Sequence, residues 1–246
     1  MCIRDRCSAR FENEARRAGA LCIAGVDEVG RGALFGPVVA VAVVLDPGRP
    51  IRGLDDSKKI SAPERERLDR QIRARARAYA LASVDAAQID CLNIYQASRR
   101  AMREALAALA EPADFILVDG LPLDWPVAQR ALVHGDARSV SIAAASIVAK
   151  VYRDALMRLW DAIFPAYGFA SNKGYGTPEH LAALERWGPT PLHRRSFEPL
   201  NHGGTEGAIT ADDEDQMRRV TAAHSEDVST AHGSAGETVP PGAVAG

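Results

Sequence analysis

Cys22-Ile-Ala-Gly-Val-Asp-Glu-Val-Gly-Arg-Gly-Ala-Leu-Phe-Gly-Pro-Val-Val-Ala-Val-Ala-Val-Val-Leu45 sets two apolar, β-branched runs on either side of a glycine-rich turn. Their composition predicts strands over residues 21–27 and 37–45. Adjacent carboxylates, Asp27 and Glu28, close the first run. Acids at the end of an apolar strand are costly unless something neutralises them. A divalent cation does so, and hard oxygen ligands suit magnesium or manganese. Gly30, Gly32 and Gly36 invite a dinucleotide-fold reading, which fails on physical grounds. That fingerprint needs a helix after the turn, its N-terminus aimed at a pyrophosphate. Here the turn runs into a second strand, and two acids would repel the phosphates. The glycines instead shape a hairpin and let backbone approach a ligand closely.

A chain of 246 residues that is 47% hydrophobic has ample material for one core. The net charge of −2 conceals an asymmetry. Residues 204–246 carry eight acids and two arginines, net −6, while residues 1–203 carry 28 basic and 24 acidic side chains, net +4. A mildly basic body fits a nucleic-acid partner. The cysteines at 2, 7, 22 and 91 show neither metal-ligand spacing nor a disulfide framework, which points to a reducing compartment. No apolar run approaches the ~20 residues of a membrane span, and the N-terminus lacks a signal-peptide core. The expectation is a cytoplasmic protein without a membrane partner.

Residues 1–20 are polar and aperiodic and read as an extension without fixed structure. Lys58 and Lys59 in Gly53-Leu-Asp-Asp-Ser-Lys-Lys-Ile60 read either as a solvated loop or as phosphate contacts. Ser61-Ala-Pro-Glu64 has the form of a capping box opening a helix with Leu68 and Ile72 on its apolar face. A short strand over 79–84 and a helix over about 87–110 follow. Phe115-Ile-Leu-Val-Asp-Gly120 is a strand ending in Asp119, and 129–134 is a further strand followed by Gly135-Asp136. A long helix covers about 141–163, its first turns small enough to pack closely on a sheet. An irregular loop over 168–176 precedes a helix from Thr177-Pro178 to Trp187, stopped by Gly188. After residue 203 the composition turns polar and low in complexity, as in unstructured tails.

Asp27, Glu28, Asp119 and Asp136 all sit at or just beyond the end of an apolar run. Singly, Asp119-Gly120 and Gly135-Asp136 read as turns. Four carboxylates converging on one sheet edge would imply a bound cation or raised pKa values. Such a cluster fits two-metal phosphodiester hydrolysis, with ions about 4 Å apart activating water and stabilising the leaving oxygen. The six histidines show no paired spacing for zinc.

Taken in order, Gly25-Val-Asp-Glu-Val-Gly-Arg-Gly32, Asp55-Asp-Ser-Lys-Lys59, Leu117-Val-Asp-Gly120, Gly135-Asp136, Ile142-Ala-Ala-Ala-Ser-Ile-Val-Ala-Lys150, Lys173-Gly-Tyr175 and His193-Arg-Arg-Ser-Phe197 resemble the motifs of the ribonuclease HII family. The resemblance covers about residues 21–200, and it is the ordered set that makes it specific. It implies an α/β protein of the RNase H-like fold: a mixed central sheet flanked by helices, with a small C-terminal helical extension. It implies an endonuclease acting on RNA–DNA hybrids and on single ribonucleotides embedded in duplex DNA. Such an enzyme cuts on the 5′ side of the ribonucleotide and leaves 3′-hydroxyl and 5′-phosphate ends. By position, Asp27, Glu28, Asp119 and Asp136 would hold Mn²⁺ or Mg²⁺. Gly30, Arg31 and Gly32 would meet the 2′-hydroxyl and adjacent phosphate, and Tyr175 would pack on the junction sugar. Lys58 and Lys173 would touch phosphates, which position a duplex without reading its sequence. No obligate protein partner is implied. The implied catalytic domain spans 21–203, between the 1–20 extension and the 204–246 tail.

Val29, Ala33, Phe35 and Gly176 depart from the family pattern around the turn and the tyrosine loop, without removing a functional side chain. Two other readings stand beside this one. Another RNase H-like nuclease shares the carboxylates but has no use for Gly-Arg-Gly or Lys-Gly-Tyr. A hybrid-binding protein that does not cut has no use for acids that repel phosphate.

Overall fold

The computed structural model describes residues 7–202. Residues 1–6 and 203–246, the acidic tail included, lie outside the described residues. β2 (Val38–Val44) contains only valine and alanine and is buried along its whole length. Such a strand needs partners on both edges and cover on both faces. β1 (Ile23–Val29) pairs with it antiparallel, from Ala24 opposite Val44 to Val29 opposite Val39. β3 (Ala78–Val84) pairs antiparallel on its other edge. Beyond β1, β4 (Phe115–Asp119) runs parallel to β1, and β5 (Ala128–Leu132) runs parallel to β4. The order β3-β2-β1-β4-β5 is the mixed sheet expected from the sequence.

The period of two along β2 divides the core. Val41 and Val43 face the small residues Ala143, Ala144 and Ala145 of α5 (Val140–Ile163) and Leu68 and Ile72 of α2 (Ala62–Arg75). Ala40, Ala42 and Val44 face Ala97, Ala101 and Ala105 of α4 (Ile94–Ala107). Helices therefore cover both faces. α5 approaches β1 so closely that a Cβ on Gly25 would lie 2.1 Å from the Ser141 carbonyl carbon. The glycine in the first strand thus serves helix–sheet contact.

Four local expectations are revised. The extension set apart as 1–20 contains a helix, α1 (Arg10–Arg17). Phe11 and Ala15 bury beside Leu117, Leu132 and Ile142, and buried Glu12 accepts bonds from Ser139 Oγ and the Ser141 amide at the start of α5. One helix over 87–110 is in fact two, α3 (Ala86–Leu92) and α4, broken at Asn93 with φ 68°. Asn93 uses its side chain to cap Gln96, a local bond that competes with helix continuation. Ser61 precedes α2 but makes no side-chain cap. The small C-terminal part comprises a single turn, α6 (Phe169–Asn172), inside the loop expected to be irregular, and α7 (Pro178–Trp187), capped by Thr177. Among the described residues no helix is long and apolar enough to cross a membrane.

Gly25→Ala must push α5 off β1, because backbone rather than a flexible side chain meets the new methyl group. The expected cost is about 3 kcal/mol or more, read as a lower urea midpoint at unchanged slope.

Candidate active site

Because β1 and β4 are parallel neighbours, their carboxyl ends emerge side by side. Asp27 and Glu28 come from the end of β1, Asp119 from the end of β4, and Asp136 from the one-turn 3₁₀ helix Gly135–Ala137 that follows β5. All four line one cleft of about 520 Å³, together with Gly30, Arg31, Gly32, Ser57, Lys58, Ser146 and Tyr175. Backbone amides hold the acids in place. Asp27 accepts from the Glu28 amide at 2.8 Å, Asp119 from the Gly135 amide at 2.6 Å and Asp136 from the Ala137 amide at 2.9 Å. Ser146 on α5 also donates to Asp27 and meets Ser57 Oγ at 3.0 Å.

The electrostatics are those of crowded anions. Burial, then the charges of Glu28 and Asp119, raise the Asp27 pKa well above the ordinary carboxylate value. Burial also raises Glu28, against the opposing pull of Arg31, whose guanidinium lies 3.2 Å from Oε1. Asp136 is raised by burial and by Asp56 and Asp119, with Lys58 opposing. Glu28 Oε2 is buried without a hydrogen-bond partner. Among the described residues no three of these acids close into a finished coordination group; each is turned toward its own local partner. A hard divalent cation suits this donor set: all-oxygen ligands, an orphaned carboxylate oxygen and repulsion to relieve.

Beside the acids lie the glycine turn and the tyrosine loop. Two arginines, Arg153 and Arg194, are fully buried and brace both. Arg153 donates to the carbonyls of Phe35 (3.0 Å), Pro37 (3.2 Å) and Lys173 (2.8 Å), and its guanidinium lies 5.5 Å from the Tyr175 ring centroid. Arg194 donates to the carbonyls of Gly36 (2.9 Å) and Arg31 (2.8 Å). Without an acid at hydrogen-bond distance, burial pushes Arg153 down, and burial with the nearby Arg153 charge pushes Arg194 down to about 9. Phe35, a departure from the family pattern, stacks on Phe169 with ring centroids 3.7 Å apart.

The structure brings together every site residue expected from the sequence except Lys173. That side chain folds back onto the Ala170 carbonyl and does not line the cleft. The residues that sequence reasoning missed are Ser57, Ser146, Arg153 and Arg194. Ser57, Ser146 and Arg194 stand inside motifs that carry the family resemblance but received no role there, and the spacing of Arg153 on its helix carried no signal of a site. Asp154, expected to be structural, receives Lys150 Nζ at 2.6 Å.

A mixed sheet whose neighbouring strand ends present acids to one cleft defines an RNase H-like nuclease. A family model described as Ribonuclease HII matches residues 24–200, and the chain belongs to that family. It is 60% identical over 195 residues to the ribonuclease HII of Solibacter usitatus, covering 79% of this chain and 86% of that protein. It is 55% identical to that of Koribacter versatilis, covering 79% and 77%. The fold is similar to that of ribonuclease H2 from Pyrococcus horikoshii, with TM-score 0.64 at 24% identity, covering 81% of this chain and all of that one. The chain is accordingly a ribonuclease H, an endonuclease.

The two turn glycines separate structure from ligand contact. Gly30 has φ +90°, and a Cβ there would meet Arg153 Nε at 2.2 Å, whereas nothing lies within 4 Å of a Cβ on Gly32. Gly30→Ala is expected to cost roughly 1–3 kcal/mol in urea unfolding. Gly32→Ala should stay within about 0.5 kcal/mol. Any loss of cleavage by the second variant then reports crowding of the substrate.

Proposed function

We propose that the enzyme hydrolyses the RNA strand of RNA–DNA hybrids and cuts on the 5′ side of single ribonucleotides embedded in duplex DNA, giving 3′-hydroxyl and 5′-phosphate ends. The observation that carries this reading is the shared cleft: four carboxylates face the Gly30-Arg31-Gly32 turn and Tyr175 across one space. Telling RNA from DNA requires contact with the 2′-hydroxyl. The exposed Gly32, with no side chain, leaves room for a sugar to approach its amide. The half-buried Tyr175 ring, steadied by Arg153, offers a face to the sugar or base at the junction. Lys58, exposed at the rim, is placed for a phosphate, as is Arg31 once it leaves Glu28. Lys173 would reach a phosphate only after leaving the Ala170 carbonyl. The reading places the work on cytoplasmic DNA.

Asp27, Glu28, Asp119 and Asp136 would hold Mg²⁺ or Mn²⁺. When bound, divalent ions supply an activated water and charge stabilisation at the leaving oxygen. The solved structure of a ribonuclease HIII described as a complex with Mn²⁺ has a similar fold, at 20% identity and TM-score 0.51. The protein's own part is to orient the acids through backbone amides and to present the turn to the ribose.

The deciding assay uses a DNA duplex with one ribonucleotide, with and without Mg²⁺ or Mn²⁺, and maps the cut. Cleavage 5′ of the ribonucleotide only with the cation supports the reading; cleavage of all-DNA duplex, or unaffected cleavage in chelator, refutes it. Asp27→Asn should lose more than the roughly 10–100-fold typical of an outer-shell partner while remaining folded. Tyr175→Ala should slow cleavage at the junction by about 10-fold or more and weaken duplex binding less, since phosphate contacts dominate affinity.

A further inference from the structure

Two buried histidines, His180 on α7 and His193 in the segment after it, lie with their Nε2 atoms 3.0 Å apart. Phe35, Tyr167 and Phe169 enclose them, with Phe169 ring-centroid distances of 5.3 and 5.9 Å to the two imidazoles. Both ends of the pair touch groups whose hydrogen-bonding role is fixed. The Thr190 backbone amide can only donate, and it lies 2.9 Å from His193 Nδ1; the Thr190 hydroxyl, also 2.9 Å away and able to donate or accept, follows the amide's choice. The Tyr175 carbonyl can only accept, and it lies 2.9 Å from His180 Nδ1. A neutral imidazole carries one N–H, so each end dictates a tautomer. His193 must bear its proton on Nε2, and His180 must bear its proton on Nδ1 and accept at Nε2. The two deductions start from opposite ends and agree at the shared contact. Hydrogens thus point one way, from Thr190 through His193 and His180 to the Tyr175 carbonyl.

We infer that His193 and His180 are positioning residues, a proton-ordered relay that sets the backbone of the tyrosine loop and so the placement of the Tyr175 ring. The inference rests on the proposed role of Tyr175 at the junction. Three successive carbonyls of that loop are held from outside it. Lys173 O accepts from Arg153, Gly174 O from the Leu34 and Phe35 amides, and Tyr175 O from His180 as well as from the Thr177 amide. The relay supplies the third hold, at the residue that carries the ring. Its far end belongs to the segment that governs the glycine turn: Arg194, next to His193, bonds the Arg31 carbonyl, and its amide bonds the Leu34 carbonyl. One short stretch of chain thereby sets the turn and the tyrosine loop relative to each other.

The relay works only while both rings are neutral, because a second proton on either would face another N–H. Burial depresses His180, and burial with His180 and Arg195 nearby depresses His193 to about 3.

Ring ¹⁵N shifts of the full chain at pH 7 test the order directly. His180 is expected as the Nδ1–H tautomer and His193 as the Nε2–H tautomer; any other assignment, or a charged ring, overturns the inference. Hydrogen exchange over 172–177 gives a second readout that needs no substrate. His180→Ala should raise exchange of that peptide about 10-fold or more, and His180→Asn, which keeps a donor near Nδ1, should restore most of the protection. Unchanged exchange in His180→Ala would also overturn it. On the single-ribonucleotide duplex, His180→Ala should cut the cleavage rate by about 10-fold, with less than about a 2-fold change in duplex affinity. Failure of the wild type to cut that duplex would defeat the functional reading while the tautomer and exchange results still decide the relay.

Discussion

Repulsion among carboxylates held at the ends of buried strands is the constraint around which this molecule is arranged. Asp27 is raised by burial and by its acidic neighbours, and Glu28 keeps one oxygen unpaired in the interior. A protein folds in spite of such a cluster only when the rest of the scaffold is stiff enough to hold it. Here the stiffness has a visible source. β2 is buried throughout, α5 lies against β1 at van der Waals limits over Gly25, and three of the four acids are anchored by main-chain amides, with Glu28 held by Arg31 instead. The acids do not close on one another; they wait in separate pockets of hydrogen bonding around one space.

A second layer holds the two segments to which the proposed function assigns the nucleic acid. Phe35 and Phe169 anchor the glycine turn and the tyrosine loop in one aromatic cluster. The carbonyls of both segments are gripped by Arg153, Arg194 and His180, groups that are buried because they replace water around the loop backbone. Burying a cation without a carboxylate is expensive. Arg153 meets that cost with three carbonyls and an aromatic ring. Arg194 meets it in part, with two carbonyls and the Phe197 ring, and leaves Nη2 buried without a hydrogen-bond partner.

Much of this was legible in the chain. The two runs around the glycine turn, the acid after Phe115-Ile-Leu-Val and the small-residue face of α5 all predict their elements, because period and composition are local signals. The same logic explains the misses. Glu12 and Phe11 look like polar-segment residues until the start of α5 is placed beside them. Asn93 breaks a continuous helical pattern by a local side-chain bond. Arg153 and Arg194 resemble surface charge, since nothing in spacing reveals which carbonyls lie near. His180 and His193 are 13 positions apart on different elements, and only folding makes them neighbours. Lys173 is the opposite case: a motif lysine near the site whose ammonium is turned toward its own loop.

The bond from Arg194 to the Arg31 carbonyl spans 163 positions of chain. During synthesis the first hairpin, β1 with β2, emerges long before its parallel neighbour β4, and the arginine that locks the turn emerges later still. A nascent polypeptide therefore carries its first acids well before Arg194 can brace the turn beside them. The turn is complete only once residue 194 has joined it, so a ribosome-bound fragment ending short of that residue holds the acids without the brace on the Arg31 carbonyl.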